Sequence, residues 1–330
     1  MKFRNPSGLV VDIRPEYVER YKNREGFTPL EGDIPETIAT QNLHPIFCPS
    51  QHLGNNGYTT SLAALKKALQ IEGYHLTPKY NGQTIGLVYS FAHDLDKLHT
   101  PIKILYTMTE STKAPAEWQE YYDRADLILV PSTFVQKSFE RIGVKTKVLP
   151  LGYNQNVFTV SQETFKEPFT FAMYDAFKLR KGWDVVFKAF NDLFAERDDV
   201  RLILKTTKSH LPLPIPRSQY PNVEVIQEKM PASGLNELLK RVDCFVFPSR
   251  GEGFGLPPLE ALATGTPVIV HNASGMTEYI DEDHFDVIET AKEITPLYTR
   301  DFKSDMGVMF EPDIEDLKEK MLGAVANRQS

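Results

Sequence analysis

Two glutamates, Glu252 and Glu260, flank a glycine-rich loop within residues 245–270, FVFPSRGEGFGLPPLEALATGTPVIV. Gly251, Gly253 and Gly255 let the backbone there lie close against a ligand. Pro257 and Pro258 suit the first turn of a helix, where a missing N–H costs nothing. A helix N-terminus offers unpaired N–H groups and the positive end of a dipole, so an anion is the expected guest. A carboxylate cannot bind that anion, but it can accept hydrogen bonds from hydroxyls beside it. The pattern therefore describes an anion cradle flanked by two hydroxyl acceptors. The plainer alternative is a pair of solvated helix-start carboxylates, which the dipole favours unaided. Arg180 and Lys181 precede Gly182 at the start of another helical run, where cations oppose the dipole and so serve some other purpose. His93 comes just after the apolar run 84–91, at a strand's carboxyl end, where α/β domains bind ligands. Its imidazole can hydrogen-bond a hydroxyl or a developing charge; a solvent-facing loop histidine is an equal alternative.

The elements that must position these groups are legible around the loop. Cys244–Phe247 is a short apolar, β-branched and aromatic run ended by Pro248, which suits a buried strand. A helix carrying Leu259, Ala261, Leu262 and Ala263 comes next and stops at Gly265, and Pro267–Val270 is a second strand. Strand, glycine loop, helix and strand make a βαβ crossover with its opening at the carboxyl end of the first strand. The same grammar recurs upstream. Residues 44–49 start a sheet, a glycine loop occupies 51–60, and Leu62, Leu65, Ala68 and Leu69 mark one helix face. That loop lacks the GxGxxG spacing of a dinucleotide site. Strands are expected at 84–91, 102–107, 125–130, 169–174, 201–205 and 223–226, and helices around Trp118, over 185–190, 234–241 and 312–326. Residues 1–32 read as a strand–helix–strand extension that braces the first domain, its helix opened by Pro15 and closed by Gly26.

Composition bounds the remainder. The chain has 330 residues, 41% of them hydrophobic, which suits two domains of ordinary size. A net charge of −7 with no long basic run argues against a nucleic-acid or membrane-surface stripe, although a nucleic-acid acceptor stays open. Cys48 and Cys244 both sit in apolar runs, which fits core thiols in a reducing compartment. No apolar stretch is long enough to span a bilayer and residues 1–6 do not start a signal peptide, so a cytoplasmic protein is expected. Asp94-Leu95-Asp96 and the acidic triplet 281–283 have the form of a metal-holding DxD, but such triplets arise by chance in acidic chains, and no metal site is assigned.

The stretch GEGFGLPPLEALATGTPVI, continued by Gly275-Met276-Thr277-Glu278-Tyr279-Ile280, resembles the Glu-x7-Glu signature and next donor loop of the retaining glycosyltransferases of family 4. The resemblance covers roughly residues 43 to 325 and is strongest in the second half. It implies an α/β GT-B fold, two facing Rossmann-like domains with a cleft between them. Val148–Phe158 resembles the family's interdomain hinge, placing the boundary near Gly152: residues 33–152 form the acceptor-side domain and 153–330 the nucleotide-sugar domain. The implied donor is a UDP- or GDP-linked sugar, with no other cofactor. Arg180 and Lys181 resemble the family's diphosphate-neutralising cations, although Asp175 stands near where many members carry a further Arg, so that Arg180 or Lys178 supplies the second charge. Glu252 is expected to hold donor-sugar hydroxyls and Glu260 the ribose, with Gly253, Phe254, Gly255 and Leu256 lining the donor. Gly57 is carried over as the glycine facing the cleft. His93 joins Glu252, Arg180 and Lys181 as a candidate catalytic group. The resemblance also implies a last helix crossing back to the first domain, for which 312–326 is short. A GT-B phosphorylase or epimerase, or an inactive binding module, shares this architecture. Acceptor and oligomeric state stay open.

Overall fold

The computed structural model describes residues 2–4, 10–12, 28–29, 46–48, 57–77, 84–160, 168–176, 178–207, 215–216, 218–298 and 302–328. In chain order its strands are β1 (Lys2–Arg4), β2 (Val10–Asp12), β3 (Thr28–Pro29), β4 (Ile46–Phe47), β5 (Leu76–Thr77), β6 (Ile85–Tyr89), β7 (Ile102–Tyr106), β8 (Leu127–Val130), β9 (Lys147–Val148), β10 (Phe169–Tyr174), β11 (Val200–Thr206), β12 (Val223–Gln227), β13 (Cys244–Phe247), β14 (Val268–His271), β15 (Asp286–Ile288), β16 (Thr290–Ile294) and β17 (Met309–Pro312). The described strands of the extension form a three-stranded antiparallel sheet of order β2-β1-β3, with β1 a strand that the sequence pattern did not announce. The helix expected from Pro15 to Gly26 lies outside the described residues, as do the loop 51–56 and residues 211–214.

Among the described residues, two six-stranded parallel sheets carry the other strands except the antiparallel pair β16-β17. The first has the order β5-β4-β6-β7-β8-β9. Its side chains alternate between two buried layers, as a sheet covered on both faces requires. Val88, Leu105, Ile128 and Val130 pack with Val135 and Phe139 of the helix Thr133–Glu140. Leu87, Tyr89 and Tyr106 pack with Leu62 of the helix Gly57–Ile71. Ala68, expected on that helix's apolar face, is exposed.

The second sheet has the order β12-β11-β10-β13-β14-β15. Strands β10, β13 and β14 are buried throughout, which explains their continuous apolar runs. The helix Trp183–Phe194 buries Val186, Ala189, Phe190 and Phe194, one stripe of a 3.6-residue period. Phe171, Phe190, Phe194, Phe245 and Phe247 dominate this core, and truncating one to Ala costs about 3–5 kcal/mol. The last helix, Ile314–Arg328, sends Leu317, Met321 and Val325 into the same core, and Lys318 pairs with Asp192 at 2.8 Å. This helix therefore packs on the second sheet's side. No helix among the described residues is long and apolar enough to cross a membrane.

The two sheets' halves touch directly. Ser132 Oγ donates to the Gly253 carbonyl at 2.7 Å, and the Thr133 N–H donates to Glu278 Oε2 at 2.7 Å. The Glu110 carbonyl oxygen lies where a Cβ on Gly251 would sit, 2.2 Å from it, so only glycine permits this approach. A strap between the antiparallel strands β16 and β17 adds a second join. From it, the Met306 and Val308 carbonyls accept the N–H groups of Lys113 and Thr112, and Asp305 pairs with Lys113 at 2.5 Å. No apolar period in the sequence marks this strap.

Candidate active site

Strand order in the second sheet reverses between β10 and β13, the switch point outside whose carboxyl ends open α/β sheets bind ligands. β10 ends at Tyr174 and leads through Asp175 into the 3-10 turn Leu179–Lys181. β13 ends at Phe247 and leads into the loop carrying Glu252. Arg180 and Lys181 thus arrive from one strand and Glu252 from its neighbour.

They converge. Lys181 Nζ lies 2.8 and 3.1 Å from the two Glu252 carboxylate oxygens and 2.7 Å from Asp175 Oδ2. Arg180 Nη1 lies 3.3 Å from Glu252 Oε1 and also donates to the Gly251 carbonyl. Ser249 Oγ donates to Glu252 Oε1 at 2.7 Å. Burial by itself would raise the Glu252 carboxyl, but Lys181 and Arg180 outweigh it and hold the group below the usual carboxylate range. Burial likewise disfavours both cations, and Glu110 with Glu252 for Arg180, and Asp175 with Glu252 for Lys181, keep them charged. Arg180, rather than Lys178, is the second cation at this carboxylate. Lys178 forms no ion pair among the described residues.

The loop beyond is fixed by its neighbours. The Glu252 N–H donates to Ser274 Oγ at 2.9 Å, and the Glu252 carbonyl accepts from the Gly275 N–H at 2.8 Å. Gly255 has φ +82° as it enters the helix Leu256–Ala263, and a Cβ there would come within 2.8 Å of Met276. Pro257 and Pro258 carry no N–H, so the orphan donors of this first turn reduce to those of Gly255 and Leu256. Phe254 is buried against Tyr279, ring centroids 5.2 Å apart.

Glu260, half-buried in the same helix, accepts from the Tyr174 hydroxyl and has no ion pair among the described residues. Burial raises its carboxyl, Asp175 adds to the rise, and the Tyr174 hydroxyl offsets part of it. Gly57 opens the helix Gly57–Ile71. His93 is exposed and lies among the rings of Phe91, Trp118 and Tyr121, with centroids 5.7, 5.9 and 6.5 Å away. No hydrogen bond, ion pair or ring contact among the described residues joins Gly57 or His93 to the Glu252 cluster. A groove lined by Thr133, Phe134, Lys137, Thr277 and Glu278 opens beside the loop without including Glu252.

Several participants escaped the sequence reading. Glu110, beyond β7, reaches Arg180 Nη2 at 3.3 Å from the other sheet. Its place just past a strand's carboxyl end, the same reasoning that singled out His93, was the available signal. Arg250 is buried and pairs with Asp184 at 2.8 Å and Glu311 at 2.6 Å, tying the loop to β17. Asp94 pairs with Lys97 at 2.6 Å and Asp96 with Arg124, so each carboxylate already has a cation. Among the described residues no group of three or more His, Cys, Asp or Glu is placed to hold a metal.

This architecture has solved counterparts. The solved sucrose-phosphate synthase of Thermosynechococcus elongatus superposes with a TM-score of 0.62 at 15% identity, over 86% of this chain and 90% of that one. The Anabaena protein HepE, solved with UDP and glucose, gives 0.55 at 14% identity, over 76% and 87%. The fold is GT-B. Residues 155–297 match the family model described as glycosyl transferases group 1, a span that contains the whole second sheet. The candidate glycosyltransferase 45 of Sulfolobus islandicus filamentous virus (isolate Iceland/Hveragerdi) is 24% identical over 315 residues, 89% of this chain and 87% of that one. These findings support a glycosyltransferase, with the group 1 match at residues 155–297.

Proposed function

We propose that the enzyme moves a sugar from a nucleotide diphosphate sugar to an acceptor hydroxyl or amine with retention at the anomeric carbon, as family 4 members do, and without a metal. The observation that carries this reading is the convergence of Arg180 and Lys181 on Glu252 at the switch point of the second sheet. HepE, which shares the fold, was solved with UDP and glucose, and a UDP-linked sugar is the first donor to test.

In the reaction the bond from the anomeric carbon to the diphosphate breaks, the acceptor bonds from the same face, and its proton passes to the leaving phosphate. Negative charge grows on that phosphate. Arg180, Lys181 and the N–H groups of Gly255 and Leu256 are the fixed positive groups that would meet it. Glu252 Oε2 accepts only from Lys181 among the described residues, which leaves capacity for a donor-sugar hydroxyl. Glu260 Oε1 accepts from nothing among them, which suits a ribose hydroxyl.

Incubating the protein with UDP- and GDP-linked sugars in EDTA, and reading nucleoside diphosphate release by mass spectrometry, tests the proposal. Slow hydrolysis of at least one donor, faster with the right acceptor, is expected. No binding or hydrolysis of any donor at millimolar concentration would overturn it, and activity that returns only with manganese would overturn its metal-free part.

A further inference from the structure

Arg180 is shared between the two sheets. From its own half, the Gly251 carbonyl and Glu252 hold Nη1. From the other half, Glu110 faces Nη2 at 3.3 Å, with its side chain 24% exposed against 12% for Arg180. Glu110 thus stands on the solvent side of the pair. The side chains on either side of it are tied to the strap, since the Tyr298 hydroxyl hydrogen-bonds Thr109 Oγ1 at 3.1 Å and Ser111 Oγ at 2.6 Å. The Glu110 carbonyl sits against Gly251.

Two acceptors in its own half hold Arg180 Nη1, so Glu110 at Nη2 can be displaced without freeing the whole side chain. What Glu110 adds is charge. Three carboxylates, Glu110, Asp175 and Glu252, face two cations, Arg180 and Lys181. A diphosphate arriving beside these cations meets a cluster already negative overall. Asp175 and Glu252 both hold Lys181 within 2.8 Å, so Glu110 is the carboxylate most easily displaced. We propose that Glu110 is a positioning residue of the transfer site, one that competes with the nucleoside diphosphate for Arg180 and takes that guanidinium back as the diphosphate leaves. This rests on the reading of Arg180 and Lys181 as diphosphate-binding groups. Its consequence is weaker binding of the spent nucleotide, with Arg180 held ready between turnovers.

Calorimetric titration of UDP and GDP into wild type, Glu110→Gln, Glu110→Asp, Arg180→Gln and the double variant Glu110→Gln/Arg180→Gln tests it. Glu110→Gln keeps the shape and removes the charge, and is expected to tighten the bound nucleotide about 3- to 10-fold. Glu110→Asp retains the charge and stays within about twofold of wild type. With Arg180 already replaced, Glu110→Gln has no further effect. Equal or weaker affinity in a folded Glu110→Gln overturns the proposal, as does tightening that persists without Arg180. Should Glu110→Gln not fold, Tyr298→Phe loosens the same segment, and unchanged affinity there overturns it as well. If wild type binds neither nucleotide at millimolar concentration, the reading of the cations fails and takes Glu110 with it. If wild type binds and Glu110→Gln matches it, only the competition fails.

Discussion

Glu252 lies in the loop after β13 with two cations and a serine hydroxyl against it, whereas Glu260, inside the next helix, meets a tyrosine hydroxyl and pairs with no cation among the described residues. Burial acts on both in the same direction, yet the outcomes are opposite. Glu252 is held below the usual carboxylate range and Glu260 is pushed above it. Two cations outweigh burial at Glu252, whereas at Glu260 burial prevails over the single Tyr174 hydroxyl. Glu252 is an anion locked into the cation cluster, where the proposed transfer would change charge. Glu260 is an acceptor with capacity to spare, suited to holding a neutral hydroxyl. Under the proposed function, turnover would fall to the first and affinity to the second.

The sharpest way to break that assignment is to neutralise Glu252. Glu252→Gln keeps the side chain's shape and leaves Asp175 and Glu110 to balance Lys181 and Arg180, so the fold is expected to survive with a lower melting temperature. Turnover is expected to fall about 100-fold or more, the scale for losing one aligned group where charge develops. Steady-state kinetics beside a melting curve check it. A larger loss of kcat in Glu260→Gln would reverse the roles.

The next effect belongs to Glu260. Glu260→Ala removes the acceptor proposed for the ribose and also strands the Tyr174 hydroxyl. Nucleotide affinity is expected to weaken by about 1–3 kcal/mol, with kcat changed far less. Calorimetry with the nucleoside diphosphate reads the first and kinetics at saturating donor the second. Unchanged affinity would remove Glu260 from the donor site.

The stretch that carries the two glutamates was legible in the sequence, because it is local. Cys244–Phe247, the glycine loop, Pro257, Pro258 and the helix after them occupy one continuous stretch whose punctuation specifies each element. Arg180 and Lys181 could be placed at the end of β10 for the same reason. Tyr298 could not, since its bond to Ser111 spans 187 positions through a strap with no apolar period, and Glu110 was marked only by its place past β7. Arg250 was hidden differently. It sits within the stretch that drew most attention, and only its buried pairing with Asp184 and Glu311 reveals a structural tie. His93 shows the limit of reasoning from strand ends. The carboxyl end of β6 does carry it, but its neighbours are rings rather than the Glu252 cluster.

The smallest expected effect sharpens the contrast in ionisation itself. Because the folded-state pKa of Glu260 is raised, the native protein binds its proton more tightly than the unfolded chain does. The ionised carboxylate therefore destabilises the fold fully above the raised pKa, and that penalty fades as pH falls through it towards the unfolded value of about 4.3. Glu252 has the opposite sign: its depressed pKa makes its ionised form stabilising above the unfolded value, and that contribution is lost as pH falls through the folded pKa. Glu260→Gln, which still accepts from the Tyr174 hydroxyl, should therefore melt about 1–2 °C above wild type at pH 7. The difference should shrink towards zero near pH 4, while Glu252→Gln melts below wild type at pH 7 and converges on it only in acid. Melting curves of the three proteins across that range decide the matter. A Glu260→Gln variant that melts below wild type at pH 7 would mean that its carboxylate is balanced by positive charge, and the distinction between the two glutamates would fall.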